Sequence, residues 1–161
     1  FSQVTAMFAI VLTVLHAIRL AGWYTNKVWS KPLVWILVMA YAFVIIGFAL
    51  TAAKVYFSIS PFLSIHAFTV GGLGLITIGM MSRVSLGHTA RNVFEPPVAV
   101  FWSLLILTLA AVIRVIFPFF NMDLYVYWVG ISQLMWIVAF ANFVYVYTPM
   151  FLSARVDGRD G

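Results

Sequence analysis

Five long apolar runs, separated by short polar breaks, set the limits on what this chain can fold into. They cover roughly residues 3–20, 33–53, 62–81, 98–117 and 124–147, and each holds about 20 residues, enough to cross a hydrocarbon core about 30 Å thick at 1.5 Å per residue. In lipid, backbone N–H and C=O groups must pair within their own segment or around a closed barrel. The short alternating segments of a transmembrane β-barrel are absent. The predicted fold is therefore all-α: a polytopic membrane helix bundle of five transmembrane helices, one transmembrane domain over 1–161 with a polar tail at 152–161. Composition agrees. The chain is 65% hydrophobic and 8% charged, whereas a soluble domain carries about 25% charged residues.

The breaks carry ordinary span-end chemistry. Trp23, Tyr24 and Trp29 suit a membrane interface, and Pro32 can open a helix because its missing N–H would be unpaired there anyway. Pro61 precedes the third run, Pro96-Pro97 ends the polar loop predicted over Ser82 to Pro97, Pro118 stops the fourth run, and Pro149 is expected to close the fifth. Arg19, Lys27, Lys31, Arg83, Arg91, Arg155 and Arg159 fall on one side, with Lys54 and Arg114 towards the other. That asymmetry predicts the first side to be cytoplasmic, with the N-terminus outside and the C-terminus inside. It also accounts for the net charge of +5 without nucleic acid. The first run lacks the basic n-region of a signal peptide. With no cysteine, disulfides, thiolate metal sites and covalent c-type haem attachment are excluded. Five spans do not divide into two equal inverted halves, which argues against a complete inverted-repeat transporter.

All four carboxylates, Glu95, Asp123, Asp157 and Asp160, lie outside the runs. Proton relays and paired-carboxylate catalysis thus have no raw material within the bilayer. What remains is three histidines, several methionines and some basic residues, an inventory closer to haem iron or copper than to hydrolysis. His16 sits on the first run with Arg19 one turn on, either a ligand with a nearby cation or a histidine bridging helices. His66 opens a stripe with Thr69, Leu73, Thr77 and Met80, readable as a cofactor wall or a polar seam. Arg114 suits either a propionate or a simple interface anchor. His88 is expected in the loop beyond the third run, beside Gly87, a residue permitting unusual backbone geometry or close approach to a flat ligand. His66 and His88 would stand about 33 Å apart on an unbroken helix, whereas His16 and His88 share one side and could share a metal. Ala67, Gly71 and Gly74, with Gly72 and Gly79, offer close helix packing or room for a porphyrin face. Met80 and Met81 fill gaps, or bind Cu(I) when a histidine is near.

Several motifs are more specific. His-Ala-Ile-Arg-Leu-Ala-Gly-Trp at 16–23, His-Ala-Phe-Thr-Val-Gly-Gly at 66–72 and Met-Ser-Arg-Val-Ser-Leu-Gly-His-Thr-Ala-Arg at 81–91 resemble the NnrS family. So do Tyr-Thr-Pro-Met-Phe-Leu at 147–152 and Val-Asp-Gly-Arg-Asp-Gly at 156–161. The resemblance implies a multi-pass protein of the bacterial inner (cytoplasmic) membrane, containing haem (haem b) and copper and tied to nitric oxide metabolism or protection from nitrosative stress. Carried over position by position, it points to His16, His66 and His88 as candidate metal or haem ligands, with Arg83 and Arg91 flanking the last. Any catalysis would be redox at the metal, and no catalytic residue is assigned. The implied partners are the lipid bilayer, nitric oxide or iron–nitrosyl species, and either further helices of a longer chain or a second copy. Family members commonly have about twice as many spans, each of about 20 residues, so the chain corresponds to their C-terminal part, as a fragment, a short form or one subunit. Ala90 stands where the family pattern leads one to expect glycine, a change without expected mechanistic effect. The alternatives are a cofactor-free transporter using Lys54, Arg114, Gln133 and Asn142 as polar pathway groups, or a structural membrane subunit.

Overall fold

A computed structural model describes residues 2–158, which are helical without any strand. Five helices are long and apolar enough to cross a membrane. They are α1 (Ser2–Trp23), α2 (Pro32–Phe57), α3 (Pro61–His88), α4 (Val98–Val115) and α5 (Tyr125–Leu152). Short 3₁₀ turns at Asn26–Ser30 and Phe117–Phe119 lie in two of the connections. Arg159 and the rest of the expected tail lie outside the described residues.

Helices α2, α3 and α4 form the middle of the bundle, with α1 packed on α2 alone and α5 on α4 and one face of α3. The core runs through Ile36, Ala40 and Phe43 of α2, Leu75 and Ile78 of α3, Leu104, Leu107 and Ala111 of α4, and Ala139 and Tyr147 of α5. Between α2 and α3 the contact is an interlock of rings and glycines. A Cβ on Gly71 would overlap the Phe43 ring, and one on Gly47 would come within 2.7 Å of Phe68. Gly79 receives Ile36, which would stand 2.8 Å from an added Cβ. At Gly71, Gly72 and Gly79 the space a porphyrin face would need is therefore taken by side chains of α2, whereas Gly74 meets only the Thr69 carbonyl of its own helix, at 3.5 Å. Small residues in lipid permit such close approach, where dispersion rather than water release holds helices together.

Two boundaries differ from the sequence expectation. Residues 82–88 are the last turns of α3, not loop. A helix of 28 residues is about 42 Å long against a core of about 30 Å, so its polar end can stay helical in the headgroup layer. At the other end of the chain, α5 continues past Pro149 to Leu152. Proline withdraws one N–H, but so near the helix end the freed carbonyl lies where water or headgroups can satisfy it. The centre of α3, Ala67–Gly74, is wound as a π-helix. Thr69, Leu73, Thr77 and Met80 are exposed on the outside of the bundle instead of forming a seam.

Candidate functional site

The three histidines occupy three different environments. His16, on α1, faces α2, where its Nδ1 lies 2.5 Å from the Tyr41 hydroxyl. Its ring lies parallel to Phe48, 5.4 Å between centroids. Phe48 in turn meets Phe68 of α3 edge-on at 5.0 Å, so the imidazole is held by an aromatic chain that ends in the Gly47 notch. The Nε2 of His16 makes no hydrogen bond among the described residues. Arg19 stacks over Trp23, 4.7 Å from the ring centroid.

His66, on the first turns of α3, is engaged at both nitrogens. Arg114 Nη2 lies 3.3 Å from Nε2 and the Tyr125 hydroxyl 3.4 Å from Nδ1. A guanidinium can only donate, so Nε2 presents its lone pair to Arg114, and the ring proton sits on Nδ1 and is given to Tyr125. Arg114 also donates to the Val129 carbonyl at 3.4 Å, while its Nε is buried without a partner. The group ties α3, α4 and α5 together near one end. A metal at Nε2 of His66 would first have to displace Arg114.

His88 is the last residue of α3, in a helical conformation as is Gly87, which does not use the backbone freedom that glycine permits. The left-handed residue is Ala90, with φ 57°. His88 lines an open groove of about 470 Å³ together with Met80, Arg83, Val84, Gly87, Val93 and Phe94. Met80 and His88 are eight residues apart, about 12 Å along the helix, so they mark the ends of a slot more than the jaws of a chelate. Met81 is exposed and does not line it, and Arg91 turns to Ser153 of the α5 end, 3.2 Å away.

The structure does not bring His16 and His88 together, because α1 touches α2 and not α3. Among the described residues no three His, Cys, Asp or Glu side chains converge on a common point. An ion held wholly by protein needs about three or four such donors. Haem needs only one or two axial ligands, because its porphyrin supplies the other four. Dispersed single histidines therefore suit haem better than a bare ion. Metal-bound histidines characteristically have the second nitrogen held by a hydrogen bond, and the Nδ1 of His16 is held in that way by Tyr41.

Tyr41, Phe48 and Tyr125 were not among the expected site residues. A signal for Tyr41 does exist: in an antiparallel hairpin, residues equidistant from the turn face each other, and His16 and Tyr41 stand nearly symmetrically about Val28 of the first turn.

The five long apolar helices define a multi-pass helical membrane protein. A family model described as NnrS protein matches residues 1–155, and the chain belongs to the NnrS family. No curated protein and no solved structure matches it.

Proposed function

We propose that this chain is a haem-binding membrane protein, also able to carry copper, that takes part in nitric oxide metabolism or protection from nitrosative stress. Family membership supports the link to nitric oxide. The observation that carries the cofactor reading is His16: one nitrogen braced by Tyr41, the ring stacked on Phe48, the other nitrogen unbonded. In this reading His16 would hold the haem iron through Nε2 and Tyr41 would orient the imidazole, while Arg19, one turn away, would offer a cation to a propionate. His88 is the second candidate donor, flanked by Arg83 and, further off, Arg91. His66 becomes a donor only where Arg114 releases it. When bound, haem supplies the redox chemistry, and the chain supplies ligand orientation and a carboxylate-free, low-dielectric shell. Copper requires donors beyond the single histidine and thioether that His88, Met80 or Met81 can offer, so it would be completed by another chain or segment. The basic end, bearing Lys27, Lys31, Arg83, Arg91 and Arg155, faces the cytoplasm in this reading, and the membrane is the bacterial inner membrane.

The transporter alternative would need Lys54, Arg114, Gln133 and Asn142 along one cleft. Asn142 is instead bonded to Ala99 and Ser103, both at 2.8 Å, and Arg114 to His66.

The test is an absorption spectrum of the full chain purified after haem-replete expression. A Soret band is expected, lost in His16→Ala and shifted but retained in Tyr41→Phe. Absence of the band together with absence of copper by elemental analysis rejects the proposal.

A further inference from the structure

We propose that the groove at the basic end of α3 binds an anionic phospholipid, its phosphate held by Arg83 and its glycerol and upper acyl region laid along Met80, Val84, Val93 and Phe94. Depth comes first. The last turn of α3 projects beyond a core of about 30 Å into the headgroup layer, and Arg83, little more than a turn below, reaches the same layer through its long stem. Charge comes second. Arg83 and His88 both line the groove, and neither has a hydrogen bond or ion pair among the described residues. Lys31 adds a second cation beside the same wall, its Nζ donating to the Phe94 carbonyl at 3.2 Å. Among the described residues no carboxylate lines the groove, and Glu95 accepts from Asn92 Nδ2 at 3.3 Å.

A helix C-terminus ordinarily repels phosphate through its free carbonyls. Here the carbonyls of Ser85, Leu86 and Gly87 accept bonds from Thr89, Arg91 and Ala90, at 3.1, 2.8 and 3.1 Å respectively. Shape comes third. A slot about 12 Å long with cations beside an apolar floor matches an amphiphile and gives a hydrated free ion little to hold. Basic pockets among spans are recognised sites for anionic headgroups. The inference does not rest on the haem reading, because Arg83 and not a histidine carries it.

The experiment uses the full chain in phosphatidylcholine nanodiscs doped with phosphatidylglycerol, with lipid retention read by native mass spectrometry. Wild type is expected to retain phosphatidylglycerol in preference to phosphatidylcholine. Arg83→Gln is expected to weaken that retention about fivefold, the effect of about one interfacial cation. Arg83→Lys keeps most of it, and Lys54→Gln at the opposite end changes nothing. Equal retention of the two lipids by wild type, or wild-type retention by Arg83→Gln, overturns the proposal. Displacement of phosphatidylglycerol by excess inorganic phosphate overturns it in favour of a small-anion site. A Soret band lost in Arg83→Gln with lipid retention unchanged overturns it in favour of haem in the groove.

Discussion

Ala90 shows how one residue departs from the conformation its type prefers. The N–H of Arg91 donates to the Leu86 carbonyl at 2.8 Å and that of Ala90 to Gly87 at 3.1 Å, the paired bonds that close a helix with a left-handed residue at the position Ala90 occupies. Glycine favours that conformation, whereas a Cβ there is penalised by about 1–2 kcal/mol. The glycine expected from the family pattern at this site thus has a conformational meaning, and its replacement is not neutral. Ala90→Gly is expected to stabilise the chain by about 0.5–1 kcal/mol, the relieved strain less the added entropy of unfolding. An unchanged or lower thermal midpoint in detergent would contradict that account. At the other end of α3, His66 gives its Nδ1 proton to Tyr125. Tyr125→Phe leaves that N–H without an acceptor, a loss of about 1 kcal/mol for a half-buried group. Nitrogen NMR of His66 should show the proton on Nδ1 in wild type, and a proton on Nε2 instead would refute the assigned Arg114 contact.

At the scale of elements, the α2–α3 pair depends on glycines that accept rings. Gly71→Ala forces its Cβ into Phe43, which is 2% exposed and has nowhere to go. Overpacking of this kind costs about 1–3 kcal/mol. Gly87→Ala is the control: it is helical and nothing stands within 4 Å of the added Cβ. There the substitution should be neutral or stabilising by up to about 1 kcal/mol. Equal losses at the two sites would mean that the interlock is not what holds α2 to α3. Between α4 and α5, Asn142 Nδ2 donates to both the Ala99 carbonyl and Ser103 Oγ. Interhelical polar contacts in membranes are worth about 0.6 kcal/mol on average and up to about 1.7 kcal/mol. Asn142→Leu, measured by unfolding in mixed micelles, should fall within that range.

For the whole molecule, the uneven burial of helices predicts uneven local stability. Only 11% of the most apolar stretch of α1 is buried within the protein, against 44% for α3. Helix α1 has a single neighbour, whereas α3 is held by α2, α4 and α5. Opening α1 therefore breaks fewer contacts, and its amides should exchange with deuterium before those of central α3 in detergent. Faster exchange in Leu75–Ile78 than in the middle of α1 would contradict this picture.

The five spans were legible in the sequence because lipid leaves a backbone no alternative to pairing with itself, and about 20 apolar residues in a row satisfy that demand without reference to any neighbour. Candidate residues were legible for a similar reason: with every carboxylate outside the spans, histidine and arginine stand out by elimination. The conformation of residues 82–88 was not, since a polar sequence reads as loop when its helix extends into the headgroup layer. Nor could sequence decide that His16 has an unbonded nitrogen while His66 has none. That difference depends on Tyr41, Tyr125 and Arg114 arriving from other helices. Hydropathy is a property of each segment alone, but a histidine's free lone pair is a property of what packs against it, and only the tertiary structure sets that.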